Sequence, residues 1–285
     1  MSARELSIQK TKAKQFYDLH HSGKLLILPN IWDSLGAQLL QHLGYPAVAT
    51  ASASIAYTNA YNDGENIPFD ELLILLKKIA SSVDVPVTAD VESGFAQEDD
   101  HLRDNIRRLL ETGIVGINIE DSDKRTKALL PPDRHCEKIR IIKEVAEESG
   151  VPLFINARTD VYIQRKKDDG AELILQETLR RGRAYKEAGA DCFYPITMNK
   201  IDDIRITVEQ LQMPVNVLAM AGLPDLEVLE KMGVARVSLG PGFLKASLQS
   251  MKNLAEKLKR HEGLDDIVNN EITSDFLQIL VSGTK

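Results

Sequence analysis

The chain has 285 residues, 43% of them apolar and 27% charged, with a formal net charge of −7. That length can bury a large core, and the acidic balance excludes a dedicated nucleic-acid binder. Cys136 and Cys192 have neither metal-ligand spacing nor a disulfide framework, and no apolar run approaches the roughly 18 residues of a membrane span.

In chain order, the first segment mixes Arg4, Lys10, Lys12 and Lys14 with Glu5 and Asp18. It lacks the apolar core of a secretion signal, so a soluble, cytoplasmic protein is expected, without membrane or nucleic-acid partners. To about residue 22 it predicts a helix outside the repeat that follows. The repeat is an alternation of apolar runs and amphipathic stretches. The runs LLILP (25–29), AVATAS (47–52), VPVTADV (85–91), GINIE (116–120), LFINART (153–159), CFYPI (192–196), VNVLA (215–219) and RVSLG (236–240) read as buried parallel strands. Between them, stretches such as 70–82, 100–113 and 136–150 have helical spacing. Several close in glycine turns, HLGYP, ETGIVG, ESGVP, EAGAD and KMGVA, which pair a helix C-cap glycine with the next strand.

Eight strands, each followed by a helix, is the count for a closed (β/α)8 TIM-type barrel, and the length fits. A doubly wound open sheet is the alternative, but no G-x-G-x-x-G follows the first strand. Residues 1–285 are expected to form one domain, with the barrel over about 24–260. Beyond it, 263–283 reads as an extra helix with an apolar face through Phe276, Leu277, Ile279 and Leu280, a face that suits packing on a second subunit.

Barrels of this kind build their sites from the loops that leave the C-terminal strand ends. Asp90 and Glu92 stand at the end of strand three and are expected to point the same way; Asn118, Glu120 and Asp121 stand on strand four. Strand two ends at Ala51 and Ser52, ahead of a long loop with Tyr57, Asp63 and Glu65. Strand five offers Asn156, Arg158 and Thr159, strand seven Asn216, and strand eight Ser238. Clustered acids are costly to bury without a cation, and carboxylate oxygens suit Mg2+ or Mn2+ rather than zinc. A planar guanidinium beside a metal suits a substrate carboxylate or phosphate, with an ion pair between Arg158 and Glu120 as the structural alternative. His20, His21, His42 and His101 read as surface residues, and 165–169 as a solvated loop.

Through LPNIWDSLGAQ, GYPAVATASASIA, NDGE, VTADVESG, GINIEDS, INARTD and VNVLA, over about residues 24–260, the chain resembles the isocitrate lyase/phosphoenolpyruvate mutase family. The resemblance implies a Mg2+-dependent barrel that makes or breaks a C–C or P–C bond beside a metal-stabilised enolate. It also implies a homotetramer, a dimer of dimers, with the extra C-terminal helix swapped between neighbouring subunits. On this resemblance Asp90 binds the metal directly, and Glu92 and Glu120 reach it through waters. Arg158 grips the substrate carboxylate, backbone amides at Ala51 and Ser52 contact the oxo-acid end, Asp63 matches an acid used by the mutases, and Asn156 and Asn216 line the pocket.

Family lyases carry Lys-Arg-Cys-Gly-His on the loop after strand four, whereas this chain reads Ser122-Asp123-Lys124-Arg125-Thr126-Lys127. Thr126 stands in the cysteine's place as the candidate proton carrier, although a hydroxyl is a weak acid near neutrality. The glutamate that lyases place after the strand-six proline is Ile196 here. These features predict a lyase for a small α-oxo or 2-hydroxy carboxylate such as oxaloacetate or a malate derivative. A phosphoenolpyruvate/phosphonopyruvate mutase or hydrolase, and a catalytically quiet oxo-acid binder, are the alternatives.

Overall fold

Every apolar run of the repeat becomes a strand in the computed structural model, which describes residues 2–166 and 170–283. The strands are β1 (Leu26–Leu28, resumed at Asn30–Ile31), β2 (Val48–Thr50), β3 (Val87–Asp90), β4 (Gly116–Glu120), β5 (Phe154–Thr159), β6 (Cys192–Pro195), β7 (Asn216–Leu218) and β8 (Arg236–Ser238). Pro29 divides β1 because it has no N–H to give to the ladder. Strands β1 to β6 pair in sequence, all parallel. Strand β8 pairs with both β7 and β1, and a bridge from Phe193 to Val215 joins β6 to β7. The ring is therefore closed, an eight-stranded parallel barrel.

A helix follows each strand: Ser34–His42, Phe69–Ser81, Asp99–Leu110, Pro132–Glu148, Ala171–Glu187, Ile201–Leu211, Leu226–Lys231 and Gly242–Leu258. The predicted turn glycines Gly44, Gly113, Gly150, Gly189 and Gly233 all have left-handed φ, between 68° and 107°. Outward residues such as Ile117, Ile119 and Ile155 pack under the helices and are fully buried. Of the 165–169 loop, Lys167, Asp168 and Asp169 lie outside the described residues. No helix among the described residues is long and apolar enough to cross a membrane.

The barrel interior is layered. The helix Ala3–His20, opened by a Ser2/Glu5 capping box, closes the bottom by packing Ala13 and Phe16 against Leu26, Leu28, Ala49 and Phe154. Gly116 belongs to this layer, since a Cβ there would stand 2.9 Å from the Phe16 ring. His20, expected at the surface, is buried here instead, with its ring against Phe16 and Phe154. Its place on the inner face of an amphipathic helix overrides its polarity. Above lies a polar layer of Asn118, Asn156, Asn216 and Arg236, and above that the acids of the open end.

The segment 263–283 is two helices, Leu264–Val268 and Ser274–Ser282, rather than one. Thr273 caps the second by accepting from the Phe276 N–H. Its face is partly covered within the same chain: Leu280 is buried, and the Phe276 ring meets His42 edge-on at 5.3 Å. Ile279 and Val281 stay exposed.

Candidate active site

The acids of β3 and β4 divide into two pairs. Strand β3 ends at Asp90, and Glu92 has a left-handed φ of 51°, a conformation that costs an L-residue about 1 kcal/mol. The two-residue alternation of a strand therefore stops short of Glu92, and the expectation that Asp90 and Glu92 share a direction fails. Glu92 turns toward the loops. Its Oε1 accepts from the Glu65 N–H at 2.8 Å, while Glu65 Oε1 accepts from the N–H groups of Ser93 and Phe95.

Glu92 and Glu120 are clamped by the chain's own cations. Lys124 Nζ stands 2.7 Å from Glu92 Oε2 and 2.6 Å from Glu120 Oε1. Arg158 Nη1 is 2.9 Å from Glu120 Oε2, and its Nε donates to Asp160 at 2.7 Å. Burial pushes Glu92 up to about 7, with Lys124 opposing it, and raises Glu120 as well. Burial alone would lower Lys124 and Arg158, but the carboxylates around them outweigh it and raise both. Asp121 is structural. It is fully buried and accepts from Thr159, Arg181, Tyr185 and the Asp160 N–H.

Asp90 and Asp63 form the other pair and face a cavity of about 260 Å³ at the open end of the barrel. Asp90 Oδ2 accepts from the Ser52 hydroxyl at 2.8 Å and from its N–H at 3.3 Å. No cationic side chain ion-pairs with Asp90 or Asp63 among the described residues. Withdrawal from water, then Asp90, raises the Asp63 carboxyl. Arg158 lines the same cavity. Tyr194, on β6 opposite Arg158, also lines it; burial, then Asp90, hold its phenol neutral against the pull of Arg158.

Of the predicted site residues, Asp63, Asp90, Arg158, Ala51 and Ser52 meet at this cavity. The backbone amides expected to hold an oxo acid are engaged, Ala51 N–H by the Ile31 carbonyl and Ser52 N–H by Asp90. Asn156 and Asn216 do not line the cavity but donate to Asn118 and Ser238, which do. Thr126 is exposed and outside the cavity, because the 122–129 turn doubles back through a Ser122–Leu129 bridge and Asp123 accepts from the Arg125 and Thr126 N–H groups. Sequence reasoning missed Tyr194, Lys124 and Arg236. Alternation inward from Arg158 and Ser238 along paired strands carried a signal for the first and last.

Among the described residues no three His, Cys, Asp or Glu side chains converge as a ready metal cage. Magnesium needs no such cage, since it takes one or two carboxylates and keeps several waters. Two adjacent carboxylates with no ion-paired cation among the described residues, at the edge of a cavity, fit that requirement.

Comparison with known proteins gives the family of the fold. Residues 16–259 match the family model for phosphoenolpyruvate phosphomutase. A crystal structure of a candidate phosphonomutase from Burkholderia cenocepacia J2315 is 35% identical, with a TM-score of 0.82 over 89% of this chain and 99% of that one. The 2-methylisocitrate lyase of Bacillus subtilis (strain 168) is 25% identical over 92% of this chain and 87% of its own length. Phosphonopyruvate hydrolase, solved with oxalate and Mg2+, shares the fold at a TM-score of 0.82, with 21% identity and 95% of each chain covered.

Proposed function

Because the chain belongs to the phosphoenolpyruvate mutase/isocitrate lyase family of enzymes, we propose that it is a Mg2+-dependent lyase that cleaves a C–C bond in a small α-oxo or 2-hydroxy carboxylate. The observation that carries this reading is the cavity itself, lined by Arg158 and by the Asp63 and Asp90 carboxylates, with which no cationic side chain ion-pairs among the described residues. Arg158 would grip the substrate carboxylate in a charge-assisted bond while Glu120 and Asp160 keep its fork from swinging. Asp90 would hold the cation, with Asp63 beside it; Glu92 and Glu120, expected to reach it through waters, would instead serve as scaffold, since Lys124 and Arg158 occupy their oxygens. When bound, the cation would supply Lewis-acid stabilisation to the oxyanion that develops as the bond breaks. The Mg2+ and oxalate in phosphonopyruvate hydrolase support such a pairing.

Size and lining favour a short substrate. At about 260 Å³ the cavity lies below the usual range for ligand sites, and Ile196 and Leu218 offer no polar contact. Oxaloacetate or a malate derivative therefore suits it better than isocitrate or 2-methylisocitrate. Thr126 would serve as proton carrier only if the 122–129 turn folded over the cavity mouth. A homotetramer, a dimer of dimers with the helix Ser274–Ser282 exchanged between neighbours, would cover Ile279 and Val281, and light scattering would show its mass.

The test is product formation from a panel of short oxo and hydroxy acids with Mg2+, beside Asp90→Ala in chelator-treated buffer. Turnover is expected only from the unaltered protein with Mg2+. Undiminished turnover by the variant without metal would sink the reading, and Mg2+-dependent oxalate binding with no turnover would make the protein an oxo-acid binder. Asp63 at the cavity favours a second reading, cleavage or migration at a P–C bond. A ³¹P NMR spectrum with phosphonopyruvate or phosphoenolpyruvate that stays unchanged over hours rejects it.

A further inference from the structure

Beneath the cavity lies a cation that nothing in the reading above uses. Arg236, at the start of β8, is 0% exposed, and no carboxylate ion-pairs with it among the described residues. Burial pushes its guanidinium down, with Cys192, Tyr194 and Asp90 opposing, yet arginine keeps its proton in proteins. A buried charge without a partner is costly, and breaking or omitting its counter-ion is among the most destabilising things a protein core can contain. Its hydrogen bonds are specific. Nε donates to Ser238 Oγ at 2.9 Å, and Nη2 makes a long 3.5 Å contact with Asn118 Oδ1; Nη1 has no partner among the described residues.

These contacts decide which way two cavity residues face. Ser238 Oγ accepts from both Arg236 Nε and Asn216 Nδ2, so both its lone pairs are used and its remaining capacity is to donate. Asn118 Oδ1 accepts from Asn156 Nδ2 at 2.7 Å as well as from Arg236, which leaves its Nδ2 hydrogens to give. Arginine has no acceptor, so it cannot exchange these roles. Both Ser238 and Asn118 line the cavity.

We propose that Arg236 is a positioning residue that turns Ser238 and Asn118 into donors toward the cavity and places a positive charge behind them, a second anion-binding point besides Arg158. The inference rests on the reading of this cavity as an oxo-acid site and narrows the substrate to one with two anionic oxygen groups, a diacid or the dianion of an oxo-acid enolate. A ligand with one carboxylate fills only the Arg158 side.

Calorimetric titration of the Mg2+-loaded full chain with oxalate and, separately, with glyoxylate tests this, because the two differ by one anionic oxygen. Ser238→Ala removes a donor and keeps the charge, and Arg236→Gln removes the charge. The expected result is an oxalate-over-glyoxylate preference that falls about tenfold in Ser238→Ala and further in Arg236→Gln. A purely structural role would weaken both ligands alike, and that outcome overturns the inference, as does an unchanged preference in either variant. If Arg236→Gln does not fold, Ser238→Ala decides alone by the same criterion. Failure of the unaltered protein to bind either ligand overturns both this inference and the oxo-acid reading. Oxalate binding with the expected variant pattern but no turnover supports the inference and removes only the proposed reaction.

Discussion

Two carboxylate pairs stand side by side at the open end of the barrel, and they differ in what neutralises them. Glu92 and Glu120 are closed off by Lys124 and Arg158, whereas Asp63 and Asp90 face the cavity with neutral donors, the Ser52 hydroxyl and N–H and the Glu92 N–H on Asp90 and the Gly64 N–H on Asp63. The closed pair fixes the loops and the arginine fork. The open pair is where the proposed cation would sit. Acids two residues apart, Asp90 and Glu92, can thus face different surroundings when the second takes a left-handed conformation.

That contrast can be broken by substitution. Asp90→Asn is expected to weaken Mg2+ binding more than about a hundredfold and to abolish turnover, with little change in thermal stability. Calorimetry and a melting curve on the same preparation check both halves. Glu120→Gln should do the reverse. It leaves Arg158 and Lys124 under-compensated, so unfolding in urea should show a loss of about 3 kcal/mol while Mg2+ affinity moves less than about tenfold. Loss of Mg2+ binding at full stability in that variant would show that the two pairs are one site. Lys124→Met should cost about 2 kcal/mol at pH 8 and less at pH 5, because Glu92, pushed up to about 7, takes a proton as pH falls and then needs no cation.

The acid limb of stability has a separate origin. Burial pushes His20 and His135 down to about 3 from 6.5, so both are neutral in the folded state, while the unfolded chain binds their protons below 6.5. Stability is therefore lost as pH falls from 6.5 toward 3, by about 1.4 kcal/mol per pH unit for each histidine. His135→Phe should flatten that limb by one histidine's share in melts between pH 4 and 6. The smallest expected effect is that of Thr126→Ala, less than about twofold on turnover; a larger loss would show that the 122–129 turn does reach the cavity.

Much of this was legible before the fold was known. The eight strands, the five left-handed turn glycines and the meeting of Asp63, Asp90 and Arg158 all follow from periodicity and from the rule that barrel sites gather at strand ends. Lys124 was not, because a lysine in a charged loop carries no mark that its ammonium will bridge two buried acids. Arg236 and Tyr194 sit inside runs read as core, where only the inward half of the alternation is polar. His20 was misread because exposure on the first helix depends on how that helix rolls onto the barrel, a tertiary matter. Asn156 and Asn216 support the cavity wall through Asn118 and Ser238 instead of forming it, since alternation gives direction but not which inward side chain reaches the open space.

The plug at the barrel's closed end has a consequence for how the chain comes together. The helix Ala3–His20 is held by Gln9, whose Nε2 donates to the carbonyls of Leu110 and Ile114, 101 and 105 residues away, and by Phe16 against Phe154. The Leu110 and Ile114 carbonyls come about a hundred residues later in the chain, and Phe154 later still. The helix must therefore wait, tethered by a long loop whose closure entropy grows only slowly with length, and dock late. Folding should end with this stopper being driven home, so its removal should speed unfolding while leaving the rate of barrel closure nearly untouched.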